Sequence, residues 1–400
     1  MESNFKKKVL KNGITLLFEK RDLPVVSASI ANPYGGAYDL GKNKGMAHFI
    51  EHLLFTGTKN RSHEDISREI EKKGGSLNAG TYNEMTSYHF KMPSEHLYVG
   101  LDILTDMLNN PKFDEEKFEK EKKVIFEEIK MYHDLPMRDV WKMIEENLHE
   151  GAFGKSNLGT AEDLTALKRD FVAEEYDKLY NCENYIVSVV GSADFDELCE
   201  YFEKNFEGTG KKIEEIKPVK INKKGVEERK GLDQAQFILA MHGPTPGSHE
   251  FNVLIVLDAY LGNGMSSRLF LEIREKRGLA YAIKSAIDPE RNSPSYAIYV
   301  GTTKEKIGEV EELIVQEFEN IKDMTEENLR EAKERVVGLK HTASEDSSEV
   351  MDELIFAELS GGAEKYYDFE KSVEKVTLEE VKKLAGELIK EYSTAAIVPE

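Results

Sequence analysis

Two cysteines, Cys182 and Cys199, are all that the 400 residues contain, too few for a disulfide framework or a cysteine-built zinc cluster. Any metal held by this chain must be met by histidine and carboxylate. Basic residues are in deficit, with 54 Lys and Arg against 75 Asp and Glu and a formal net charge of -21. Phosphate backbones need clustered Lys and Arg and are repelled by an acidic surface, so nucleic acid is excluded as a main partner. Long apolar runs are missing too. None approaches the roughly 18 residues that span a bilayer, which excludes a membrane-embedded protein. The opening residues MESNFKKKVLKNG are basic, but no apolar stretch follows, which argues against a secretory signal and for a cytoplasmic protein. What is present is a hydrophobic fraction of 40% on a chain long enough for roughly two to four domains.

Strand patterns come first, VLKNGITLLFEK with an Asn12-Gly13 turn signal and then VVSASIANPYGGAYD. In GMAHFIEHLLFTGT, Met46, Phe49, Ile50, Leu53 and Leu54 recur at helical spacing and Gly57 is placed to end the helix. Ser62 and Asp65 read as the cap of a second helix, stopped by Gly74-Gly75. LNAGTY and MTSYHFKM read as strands, 94–109, 114–133, 139–149 and 161–180 as helices, and YIVSVVG as a buried strand. The polar, Lys-rich stretch 209–228, broken by Pro218, is the best linker candidate. Beyond it the order of elements repeats. REIEKKGGSLNAGTY aligns with LEIREKRGLAYAIKS, and KFDEEKFEKEKKVIFEE with DMTEENLREAKERVVGL. The expected fold class is α+β, two homologous α/β sandwich halves (1–212 and 227–400, joined by a linker at 213–226), each a mainly antiparallel sheet with helices packed on one face.

The chemistry concentrates in HFIEH. On a helix His48 and His52 lie one turn apart on one face, so both imidazoles can reach a single ion, with Glu51 beside them. This is H-x-x-E-H, the inverted order of the H-E-x-x-H metalloprotease motif. About 0.03 chance matches are expected in a chain of this composition, so the motif needs a third ligand to be convincing. The predicted helix 114–133 offers one. Glu121 and Glu128 fall on its apolar stripe of Phe118, Ile125, Ile129 and Tyr132, whereas Glu127 points to solvent. Buried carboxylates cost several kcal/mol unless paired or coordinated. One zinc ion per chain, held by His48, His52 and Glu128 with an open fourth position for water, satisfies that demand. Glu51 is then the general base, and Glu121 orients a ligand histidine or, failing that, pairs with a Lys or Arg of its own helix.

With these residues in view, the sequence resembles the pitrilysin and mitochondrial processing peptidase family of zinc metallopeptidases, in its short-chain branch of two similar halves. GMAHFIEHLLFTGT, GGSLNAGTYNEMTSYHF, EKKVIFEEIKMYHD and SSRLFLEIREKRGLAYAIKS carry the resemblance, which covers nearly the whole chain. It implies a zinc-dependent endopeptidase acting on unfolded or extended peptides inside a clamshell chamber. It also implies that His48, His52 and Glu128 bind zinc, with Glu51 as base. Substrate is expected to add to the edge strand at GGSLNAGTY, with Asn78 and Ala79 near the scissile bond, and Arg274 and Tyr281 of the second half are expected to hold peptide carbonyls. Members of this length pair two chains, and a complete catalytic set in one chain favours a homodimer.

The second half keeps no ligand. The repeat places Asn252, Ile255 and Val256 over His48, Glu51 and His52, and Leu339 over Glu128. Each assignment has a plainer rival: Asn78 as a turn residue, Tyr281 as core packing, Arg274 as a helix-end cap. Two further rivals concern function, a site-specific peptidase removing a leader or targeting segment and a non-catalytic scaffold subunit.

Overall fold

The computed structural model describes residues 4–39, 41, 43–208, 210 and 212–400. Residues 1–3 of the amino-terminal segment, and Thr209 and Lys211 of the linker stretch, lie outside the described residues. The chain begins β1 (Phe5–Val9), β2 (Thr15–Lys20), β3 (Val25–Asn32), α1 (Met46–Phe55), α2 (His63–Glu71), β4 (Ser76–Thr81), β5 (Thr86–Pro93), α3 (Leu97–Asn109), α4 (Glu115–His133) and α5 (Pro136–Leu148). It continues through β6 (His149–Glu150), α6 (Ala161–Ala166), α7 (Arg169–Leu179), β7 (Ile186–Gly191) and α8 (Phe195–Asn205). Then follow β8 (Val219–Lys220), β9 (Lys224–Arg229), β10 (Ala235–His242), α9 (His249–Leu261), β11 (Ala282–Asp288) and β12 (Ser295–Thr302). The last elements are α10 (Ile307–Glu319), α11 (Glu326–Ala343), α12 (Ser347–Leu359), α13 (Phe369–Glu374), α14 (Leu378–Leu388) and β13 (Ser393–Pro399). Among the described residues no helix is long and apolar enough to cross a membrane.

The α+β class holds. One sheet has six strands in the order β1-β2-β7-β3-β5-β4, another five in the order β11-β12-β10-β13-β9. Reading β4-β5-β3-β7-β2 against β11-β12-β10-β13-β9 matches them strand for strand. Each series carries one parallel pair, β2 with β7 and β9 with β13, among antiparallel neighbours. The internal repeat is therefore a repeat of topology, and β1 is an addition peculiar to the first sheet. Local signals act as the sequence suggests. Gly13 takes φ 91° in the turn joining β1 to β2, and Ser62 with Asp65 forms a complete capping box on α2.

The two compact units do not coincide with the two halves of the chain. One comprises Met1–Ile129, Ser156–Ile216 and Ala343–Leu359, the other Lys130–Lys155, Lys217–Thr342 and Ser360–Glu400. The halves have exchanged a helix, α12 going to the first unit and α5 to the second. Strand alternation explains what each helix does there. On β10, Phe237, Leu239 and Met241 join the core built with α9 and α10, while Ile238 and Ala240 face the other way onto Val140, Ile144 and Leu148 of α5. On β3, Val26, Ala28 and Ile30 join the core with α1 and α3, while Ser27 faces α12 and meets Ser347 Oγ at 2.8 Å. Small side chains on that face let the helix approach closely. Each sheet thus has its own half's helices on one face and a single exchanged helix on the other.

The expected linker 213–226 contains β8 and the start of β9. In the second unit, β8 pairs with β6 as a short ribbon, and His242 Nε2 lies 3.0 Å from the Ile221 carbonyl oxygen. The His242 ring meets the buried His149 ring edge-on at 5.1 Å. Burial, helped by His242 and Lys220, lowers the pKa of His149 to about 4, so it is held neutral.

Candidate metal centre

Helix α1 owes its position to an anchored start. Gly45 adopts φ 93°, and the Asp39 carboxylate accepts the N–H of Gly45 at 3.0 Å and of Ala47 at 3.2 Å. Tyr34 donates to the same carboxylate at 2.6 Å. Burial raises the pKa of Asp39 to about 6 against the opposing pull of these donors and Lys44. From this anchor Met46, Phe49, Ile50, Leu53 and Leu54 enter the core, as their spacing predicts. The opposite face carries His48, Glu51 and His52, with the two imidazole centroids 4.6 Å apart.

Helix α4 brings the acids. Phe118 and Ile125 bury its core stripe, Glu121 and Glu128 sit half-buried beside it, and Glu127 is exposed. Glu128 Oε2 stands 3.8 Å from His48 Nε2 and 3.7 Å from His52 Nε2. Among the described residues His48, His52 and Glu128 form a group whose ligand atoms all lie within 4.8 Å of one another. Three donors bonded to one tetrahedral zinc at its usual distances stand roughly 3.4 Å from each other, a spacing that the Glu128–histidine separations of 3.8 and 3.7 Å approach. The donor chemistry also suits zinc. Burial, with His52 as the lesser cause, lowers the pKa of His48 to about 3, which leaves its ring neutral and able to ligate.

The neighbouring acids are engaged as well. Glu121 Oε2 lies 3.4 Å from His52 Nδ1, the nitrogen facing away from Glu128. Burial works against charge on His52, but the Glu121 hydrogen bond and the charges of Glu51, Glu128 and Glu121 outweigh it and raise its pKa. Glu51 is pushed up mainly by burial and partly by Glu128, against the Thr81 hydrogen bond and His52. Thr81 Oγ1 donates to Glu51 Oε2 at 2.5 Å. A cavity of about 420 Å³ opens beside the cluster, lined by Glu51, His52, Phe55, His63, Asn78, Lys117 and Glu121 among others.

Strand β4 borders this cavity as a sheet edge, paired among the described residues only with β5. Its register settles which backbone groups turn away from β5. The Tyr82 N–H bonds the Met85 carbonyl at 2.8 Å, and hydrogen-bonded and non-bonded pairs alternate along an antiparallel ladder. Leu77, Ala79 and Thr81 therefore turn their N–H and C=O groups away from β5, toward the open edge. The Ala79 N–H fits this phase, since it donates to Asn78 Oδ1 at 3.0 Å instead of to β5.

Arg274 and Tyr281 belong to the second unit. Arg274 sits in a π-helical turn, Phe270–Glu275, with its guanidinium 4.8 Å from the Phe270 ring centre. The Tyr281 hydroxyl accepts from Gln236 Nε2 at 3.1 Å, and its ring rests on Gly301, where a Cβ would come within 2.3 Å of Cζ. The phenol is 45% exposed, so core packing does not describe it.

Sequence reasoning missed Thr81, Asp39 and His63. The last reads as structural in sequence, and its Nδ1 does lie 2.9 Å from the Phe55 carbonyl oxygen, yet it also lines the cavity. Period-two alternation puts Thr81 on the same face of β4 as Leu77 and Ala79. That face becomes meaningful only once α1 is seen packed against β4.

Two histidines on one helix and a carboxylate on another, in an α+β scaffold of duplicated sheets, have the donor set of a mononuclear metal centre. The chain belongs to the insulinase family, peptidase family M16: residues 17–162 match the model of that family and 166–336 that of the peptidase M16 inactive domain. A Bacillus subtilis protein named as an uncharacterized zinc protease is 31% identical over 402 residues, covering 98% of both chains. A Rickettsia bellii protein similarly named is 35% identical over 342 residues, covering 84% of this chain and 82% of its own. The fold recurs in a crystal structure of a Helicobacter pylori protease, with a TM-score of 0.89 at 20% identity over 99% of each chain.

Proposed function

We propose that this protein is a zinc-dependent endopeptidase of the inverzincin type, cutting unfolded or extended peptides. The observation that carries the proposal is the convergence of His48, His52 and Glu128 on one point, next to an acid that is not needed as a ligand. When bound there, one zinc ion per chain supplies a Lewis acid and lowers the pKa of a water. Glu51, raised in pKa by burial, takes the proton from the attacking water and returns it to the leaving amine nitrogen. Glu121 holds His52 through Nδ1, fixing the tautomer that leaves Nε2 free as a donor to the metal.

Substrate binds as an added strand on β4. The outward N–H and C=O groups of Leu77, Ala79 and Thr81 support this, and Asn78 lines the cavity at the same edge. Backbone pairing tolerates varied side chains but requires an extended segment, so folded proteins are excluded. Arg274 and Tyr281 are assigned to substrate carbonyls and the developing oxyanion, a role supported by the family membership and by the partial exposure of the phenol. The working form is a homodimer, since one chain carries the full ligand set, and a mass measurement in solution tests it.

The deciding experiment is Glu51→Gln. Cleavage of an unstructured peptide should fall by roughly 10²- to 10⁴-fold while bound zinc stays at one per chain. Undiminished cleavage by that variant sinks the proposal. A map of cuts across a peptide mixture then separates degradation, with scattered sites, from processing at a single motif.

A further inference from the structure

Thr81 occupies a position that couples two parts of the site. Its side chain is on the α1 side of β4 and donates to one oxygen of Glu51, Oε2, at 2.5 Å. Its backbone, opposite Thr86 in a non-hydrogen-bonded pair, faces the open edge of the sheet. One residue thus touches the proposed base with its hydroxyl and offers its N–H and C=O to whatever strand adds to that edge.

We propose that Thr81 is a positioning residue that ties the orientation of Glu51 to the seating of the substrate strand. The inference rests on the peptidase reading given above and goes beyond it, since neither the sequence motif nor the family match gives Thr81 a role. The hydroxyl takes up Oε2 and leaves Oε1 to receive the proton of the attacking water. A carboxylate on a flexible side chain with no such partner samples several rotamers, of which few aim at the water. Because the donor belongs to the strand that the peptide pairs with, a peptide out of register shifts β4 and the base together. Extended substrate is thereby favoured at the chemical step as well as at binding. Valine keeps the shape and strand preference of threonine and removes only the donor, whereas serine keeps the donor.

The test uses the zinc-loaded 400-residue chain. In Thr81→Val, kcat should fall roughly 10- to 100-fold with KM within about twofold of wild type, and Thr81→Ser should recover most of the loss. Zinc content and its resistance to a competing chelator should be unchanged in both. Binding of an uncleaved peptide should be the same in Glu51→Gln alone and in Glu51→Gln combined with Thr81→Val, because the peptide pairs with the β4 backbone and the hydroxyl acts only on the residue at position 51. An unchanged kcat in Thr81→Val overturns the inference, as does a loss of peptide affinity in the double variant that matches the loss of kcat/KM, which would make Thr81 a strand-support residue only. If Glu51→Gln itself cleaves normally, the peptidase reading fails first, and the two failures are told apart.

Discussion

The two units share one strand order and differ in what they place on it. In the first, helix α1 turns His48, Glu51 and His52 toward the acids of α4. In the second, the repeat puts Asn252, Ile255 and Val256 on α9 at those places, with Val256 fully buried, and Leu339 of α11, half exposed, at the place of Glu128. The helix before the edge strand differs as well, a regular capped α2 in one and the π-helical turn carrying Arg274 in the other. The duplicated scaffold therefore carries the candidate metal ligands in one copy and not in the other. The site is a property of four side chains, held by an anchored helix start and by neighbouring acids.

The harshest way to break the contrast is to erase it. His52→Ala should abolish zinc binding and peptide cleavage together, whereas Glu51→Gln keeps the ion and loses the roughly 10²- to 10⁴-fold contribution of the base; metal analysis alongside a cleavage assay checks both. The converse is to copy the site across. Asn252→His, Ile255→Glu, Val256→His and Leu339→Glu together should lower unfolding stability by about 3–5 kcal/mol in denaturant titration and leave zinc at one per chain, because Val256 faces the core and an imidazole there is buried away from any ion. A second ion per chain would show that the four side chains suffice by themselves.

Acid separates the units more gently. His149, which lies in the second, has its pKa lowered from 6.5 to about 4, so the stability it contributes is present above pH 6.5 and is lost as pH falls toward 4. Between those limits wild type should lose about 3 kcal/mol more stability than His149→Leu, read from denaturant midpoints at each pH. Glu121→Gln should weaken zinc binding by roughly 10- to 100-fold in chelator competition while leaving the fold intact. The smallest effect belongs to Ser62→Ala, which removes the α2 cap and should cost about 1 kcal/mol without altering zinc content.

Much of the site could be read from the sequence because its signals are local. The i, i+4 histidines, the apolar stripe opposite them and the Ser62–Asp65 cap all lie within a few turns of chain, where helical periodicity is a sufficient guide. What escaped depends on which surfaces meet. The stripe of Val140, Ile144 and Leu148 shows that α5 buries one face, but nothing in it says that the sheet it covers contains β10 and β13. Ser27 and Ser29 alternate with Val26, Ala28 and Ile30, and alternation by itself does not tell a solvent face from a buried one. They are buried small residues under α12. Helix α8 lies outside the elements expected from the sequence, although Asp194 caps it by accepting the N–H groups of Asp196 and Glu197. The Thr81 contact needed the packing of β4 on α1, a tertiary fact.

The exchanged helices carry a consequence for how such a chain can be made or divided. A polypeptide ending in the stretch 213–226 would leave the α12 face of β3 and β7 bare, exposing Ile186 and Val190, and would strand α5 with no sheet to cover. The remaining piece would lack α5 over Ile238 and Ala240 in the same way. Although the topology records a doubling, neither copy is any longer a self-sufficient module. The duplicated parts have become obligate complements, and insertions, truncations or fusions would have to respect the reach of two helical arms instead of the linker between two repeats.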